Sequence, residues 1–255
     1  MYHDVGAGFV TLTDHDKITD LSIMQADYPD LTFIQGFEYS TRENMVFAGS
    51  GVGPLYELPL EDALSQAGDL LTIVAHPQRM GKKQEYWTMP MLEELGAWPD
   101  GIEVYNGHYG IESALASGRC PLYTEFWDEL LTAGHRLWGY ANDDFHGPDD
   151  FGNAFNMVCV EDITPAAVIE AAKAGRCYAS TGLLLDTVTV EGGEVTVEVD
   201  TECVGRFVGP EGEILAMREG TKFTHRVGEE AYVRFEAEGE TGRLFLQPMF
   251  ATWRN

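Results

Sequence analysis

The chain has 255 residues and carries 42 acidic against 16 basic side chains, a formal charge of −26. Such a field repels phosphate backbones, which argues against nucleic-acid binding across the general surface. At 44% hydrophobic and 23% charged the chain reads as folded rather than disordered. No apolar run approaches the ~20 residues that span a bilayer, so no membrane partner is expected.

The first two-thirds alternate apolar runs of strand length with helical stretches. A predicted strand at 9–13 runs into Asp14 and His15, and one at 33–36 leads through Phe37 to Glu38. A helix is predicted at 60–66. The strand at 70–75 ends on His76 and Pro77, and the basic residues Arg79, Lys82 and Lys83 follow directly. After a helix at 90–95, a strand at 101–105 carries Glu103 and leads to Asn106 and His108. A helix at 123–133 precedes a strand at 137–140, which opens onto Asn142, Asp143, Asp144 and His146. The last helix, 165–174, has Thr164 as N-cap, Pro165 at its first position and Gly175 at its end. This repetition predicts an α/β fold with a mostly parallel sheet or barrel.

Beyond about residue 185 the pattern turns to strand-like alternation at 187–191, 194–199, 222–226, 232–237 and 243–247, separated by Gly-containing turns. A small all-β domain, a sandwich of short strands, is expected there. The division is therefore 1–184 and 185–255. Four scattered cysteines (Cys120, Cys159, Cys177, Cys203) form no CxxC pair, which predicts small buried thiols kept reduced in the cytoplasm.

Five successive strand ends offer imidazole, carboxylate or both, and parallel α/β barrels place their active sites at that end of the strands. Neutral imidazole with carboxylate suits zinc, manganese or iron(II), and paired ions can activate water and clamp a displaced phosphate. Any one of these residues is weak as a signal: a lone histidine after a strand is commonly structural. Asp144 and His146 alternate in an extended segment and so point the same way. Four of the seven histidines (His15, His76, His108, His146) sit at strand ends, and the set is the signal. Arg79, Lys82 and Lys83 read either as phosphate contacts or as a solvated basic loop. Trp87, Tyr105 and Tyr109 read either as an aromatic wall for a base or sugar or as core.

The motifs FVTLTDH (9–15), QGFE (35–38), VAHP (74–77), GIEVYN (101–106) and GYANDDFH (139–146) resemble the PHP (polymerase and histidinol phosphatase) family in order and spacing. The stretch AGRCYASTG (174–182), followed by a β-rich tail, is similar to two-domain members with a compact β module. The resemblance implies a distorted (β/α)7 barrel of PHP type, a TIM-like barrel, plus the small C-terminal all-β domain. It implies up to three divalent ions (Zn, Mn or Fe) at the barrel mouth. In it Glu38 is the bridging carboxylate, His76 and His108 ligate the ion that Glu38 shares, Asp144 ligates the first ion, and His15 and His146 ligate the third. Asp14, Glu103 and Asn106 would orient these ligands through hydrogen bonds.

The chain opens past the family's first strand and its His-x-His motif. A misassigned start or incomplete gene would explain this, and so would a degenerate, non-catalytic relic that binds a ligand or partner. The loss would leave fewer ions and an exposed edge on the next strand, which another subunit in a homo-oligomer, or a rearranged segment, would cover. The expected activity is a phosphoesterase, hydrolysing a small phosphate ester by a metal-activated hydroxide, with His15 or His146 assisting proton transfer. Hydrolysis of an amide or a phosphodiester is the other enzymatic reading.

Overall fold

The computed structural model describes residues 1–77, 79–80 and 84–250, with the backbone alone at 79–80 and 84–85. In chain order the first elements are β1 (Phe9–Leu12), α1 (Ser22–Asp27), β2 (Thr32–Tyr39), β3 (Met45–Ala48), α2 (Leu60–Ser65) and β4 (Leu71–Val74). Next come β5 (Arg79–Met80), β6 (Gln84–Glu85), α3 (Met89–Glu94), β7 (Gly101–Asn106), α4 (Glu112–Ala116), α5 (Thr124–Thr132) and β8 (Trp138–Asn142). The rest are β9 (Phe155–Val158), α6 (Pro165–Lys173), β10 (Cys177–Ser180), β11 (Leu185–Glu191) and β12 (Glu194–Val208). They are completed by β13 (Ile214–Arg226), β14 (Tyr232–Gly239), β15 (Gly242–Leu246) and β16 (Met249–Phe250).

The expected (β/α)7 TIM-like barrel does not form. Strand makes up 38% of the structure against 23% helix, and the strands build two curled half-barrel sheets with only six helices among the described residues. The physical reason lies in the connections. A parallel barrel needs a helical crossover after every strand, yet β2 turns back into β3 and β3 into β4 by antiparallel pairing. The β1–β2 and β4–β7 ladders are parallel. The helices are correspondingly short, from five to nine residues.

The chain divides into two compact units, Met1–Glu103 with Val158–Arg176, and Val104–Met157 with Cys177–Asn255. In the first, Ile34, Phe37, Phe47, Leu60, Val74 and Ile102 are fully buried, and the Phe37 and Phe47 rings stack at 4.9 Å. Gly36 is required where three strands crowd, because a Cβ there would lie 2.6 Å from Phe47 O and 2.9 Å from Thr13 Cγ2. The α6 N-terminus forms as the residues dictate: Thr164 accepts a hydrogen bond from Ala167 N, and Pro165 stands at the first position.

In the second unit the long β12 and β13 form an antiparallel pair, flanked by β11 and β14. Alternate residues of β12 (Val195, Val197, Val199) are buried in a core with Phe207, Phe223, Val233 and Phe235. Burying each such side chain is worth roughly 1.5–3 kcal/mol. The sheet of this strand-rich tail also contains β10 and β9. Behind α5 lies a charged network: Arg234 grips Asp128 through Nε (2.7 Å) and Nη2 (2.6 Å) and also bonds Glu236, which accepts from Arg206.

No helix among the described residues is long and apolar enough to cross a membrane. All four cysteines are free thiols, but Cys120 and Cys159 are exposed, which corrects the expectation of four buried ones. β1 is the terminal strand of its sheet.

Candidate metal centre

The structure gathers the sequence-predicted residues into two clusters, one in each unit. In the first, β1 and β2 run parallel in register, with Val10 beside Phe33 and Leu12 beside Gln35. Continuing that ladder, Glu38 N donates to Asp14 O (3.1 Å) and Asp16 N to Glu38 O (2.9 Å), which sets His15 beside Glu38. The β2–β3–β4 register then delivers the end of β4 to the same place. His76 Nε2 lies 3.0 Å from Glu38 Oε1, and His15 Nε2 lies 3.8 Å from Oε2. The parallel β4–β7 pairing puts Glu103 beside His76, whose N–H donates to Glu103 Oε2 at 2.5 Å.

Glu38 is buried, with a further hydrogen bond from Asn44 Nδ2 (2.6 Å). Burial alone would raise its pKa; the hydrogen bond and charge of His76, with help from Asn44 and His15, turn the balance and hold it below the ordinary carboxylate value. Asn44 is in turn clamped by Tyr86 and by Trp87 Nε1, and the Tyr86 ring stacks on His76 at 5.4 Å. Asp14, expected to orient a ligand, uses its carboxylate to accept from the Thr19 hydroxyl.

The second cluster lies on the segments after β7 and β8. His108 Nδ1 lies 2.8 Å from Asp150 Oδ1, and the His108 and His146 rings are 4.7 Å apart. His146 Nδ1 donates to Asp144 O at 2.7 Å. Asn106, fully buried, donates from Nδ2 to Asp144 Oδ2 (3.2 Å) and accepts from Tyr109 N (3.0 Å). Ligand atoms of His108, His146 and Asp150 all fall within 4.8 Å of one another, the spacing of a mononuclear site.

Asp150 is 2% exposed and was missed from the sequence. Burial would raise its pKa, but hydrogen bonds from His146 N–H, His108 and Gly147 N–H overturn that and leave it lowered. The only sequence signal was an acidic pair, Asp149 and Asp150, three and four residues past His146, behind Gly147 and Pro148. A charge pair in a Gly-Pro turn ordinarily reads as solvated loop.

The remaining expectations divide plainly. In the structure Glu38 and His15 belong to the first unit, and His108 and His146 to the second, where their partners are Asp150 and Asp144. Lys82 and Lys83 lie outside the described residues, as does the side chain of Arg79. Trp87 is core in the first unit; in the second, the Tyr105 ring lies near Phe245 and Arg119 sits over the Tyr109 ring.

The donor chemistry of both clusters fits a borderline divalent cation. Each offers imidazole and carboxylate, and in the second cluster the Nδ1 atoms of His108 and His146 are already hydrogen-bonded, the arrangement that orients metal ligands. Compared with known proteins, the chain matches no protein-family model and no curated protein, so its function must be argued from these residues.

Proposed function

We propose that this chain is a metal-dependent hydrolase acting on small phosphate esters, the chemistry of the PHP phosphoesterases whose motifs it resembles. One observation carries the proposal: the imidazoles of His108, after β7, and His146, after β8, come together beside the buried carboxylate of Asp150 within metal-ligand spacing. On this reading His108 and His146 hold the ion, and Asp144, fixed by Asn106, lies beside them. Glu38 with His76 and His15 is a second place for a cation, with Glu103 and Asn44 orienting its ligands. A divalent ion supplies Lewis acidity toward a phosphoryl oxygen and activates water for attack at phosphorus. Half-exposed His146 and His15 are the candidates for passing a proton to the leaving group. Arg79, Lys82 and Lys83 are the cations assigned to substrate phosphate in a chain otherwise so acidic. The compartment we assign is the cytoplasm, supported by four unpaired thiols.

The test is metal content and turnover of the purified full-length chain after zinc, manganese or iron(II) supplementation, against panels of monoesters, diesters and amides. We expect bound transition metal and monoester hydrolysis, both lost in His108→Ala and His146→Ala. A folded chain that takes up no metal and cleaves none of the panel would refute the proposal and favour a non-catalytic relic.

A further inference from the structure

Asp150 has a geometry unlike that of a ligand. Its Oδ2 accepts two backbone N–H groups, from His146 and Gly147, each at 2.8 Å, and its Oδ1 faces His108 Nδ1 at 2.8 Å. Backbone N–H groups can only donate, and an ionised carboxylate can only accept. The proton between Asp150 and His108 therefore belongs to Nδ1. Nε2 is left with its lone pair, and it has no hydrogen-bond partner among the described residues. His146 is set the same way, since its Nδ1 faces the carbonyl oxygen of Asp144, another obligate acceptor.

We infer that Asp150 is a positioning residue rather than a metal ligand: it locks His108 in the Nδ1–H tautomer and so selects Nε2 as the nitrogen offered to a cation. The inference rests on the metal-site reading for its purpose, but not for its test. Its strength is that the two backbone donors cannot change role. In Asp150→Asn the amide oxygen must stay on those N–H groups, which turns the NH2 toward His108. That NH2 needs an acceptor, so His108 Nδ1 must give up its proton and Nε2 must take it. A nearly isosteric change thereby reverses the tautomer without moving the ring.

The experiment is a long-range ¹H–¹⁵N imidazole spectrum of the metal-free full-length chain at a pH of about 8.5, above the ordinary histidine range. His108→Gln assigns the resonances. The Nδ1–H tautomer is expected for wild-type His108 and the Nε2–H tautomer for Asp150→Asn. Zinc affinity of the variant is expected to fall about 10–100-fold, the usual cost of losing a ligand-orienting partner. An Nε2–H tautomer in the wild type, or an unchanged tautomer in a folded variant, overturns the inference. If the variant fails to fold, the wild-type spectrum decides alone. Should the tautomers be as expected while the wild type binds no zinc, manganese or iron(II), the positioning role stands and the hydrolase proposal falls.

Discussion

Replacing Asp128 by alanine should be the most destabilising small change in the second unit. Asp128 is 5% exposed and Arg234 2%. The substitution deletes both teeth of a bidentate contact and the acceptor of the Tyr232 hydroxyl (2.9 Å), leaving a permanently charged guanidinium with Glu236 alone. Removing one partner of a buried pair costs about 3–5 kcal/mol, because the other charge stays buried without full compensation. At about 2–4 °C per kcal/mol for a chain of this size, the melting temperature should fall by roughly 6–20 °C. Urea unfolding followed by tryptophan fluorescence measures the loss, since α5 carries Trp127 beside the network. The exposed pair Lys222–Glu198 supplies the control: Glu198→Ala should cost at most about 1 kcal/mol. If Asp128→Ala costs no more than that control, the network contributes nothing through burial and the reasoning fails.

Acid should destabilise the fold progressively as pH falls through the ordinary carboxylate range and below it. Glu38, Asp150 and Glu236 are all held below their usual pKa when folded, each by donors or cations that outweigh burial. The unfolded chain then binds more protons in that range, so their stabilisation is present above the ordinary carboxylate values and drains away as pH falls through them toward the folded ones. Stability that stays level from pH 6 to pH 3 in denaturant titrations would contradict this. Gly36→Ala should cost at least about 1–3 kcal/mol, since its Cβ meets backbone that cannot yield, and a wild-type urea midpoint would show otherwise. Thiol labelling of the native chain should modify Cys120 and Cys159 and spare Cys177, whose pKa burial pushes up to about 12 against a hydrogen bond from Gln247. Rapid labelling of Cys177 would refute that.

The candidate residues were more legible than the architecture around them. Polar side chains just past apolar runs mark His15, His76 and His108, and mark Glu38 although β2 continues through it to Tyr39. The same runs do not say how strands are joined. The segment 40–44 is polar and 45–48 is apolar, a hairpin that the expected strand–helix alternation concealed. Nor did alternation reveal the length of β12 and β13. Gly205 interrupts the pattern, yet it is needed because a Cβ there would lie 2.5 Å from the Phe223 ring, and cross-strand pairing carries both strands through. Asp150 escaped notice because its role is to receive hydrogen bonds from fixed donors, which leaves no periodic trace.

Backbone conformation supplies an independent reason to place chemistry at these strand ends. Among the described residues four non-glycine residues have positive φ, and three of them are Asp16, His76 and Asp144, at φ 44°, 26° and 52°. Each such residue costs of order 1–3 kcal/mol unless its surroundings hold it. Here they do: Asp16 N bonds Glu38 O while its carboxylate takes Ser40 N, His76 N bonds Glu103, and Asp144 receives Asn106 Nδ2. A chain that needed only to end its strands could have used glycine at all three positions at little steric cost. Keeping an acid or an imidazole there, with a dedicated partner against the strain, makes sense when the direction of that side chain matters more than the stability it forfeits.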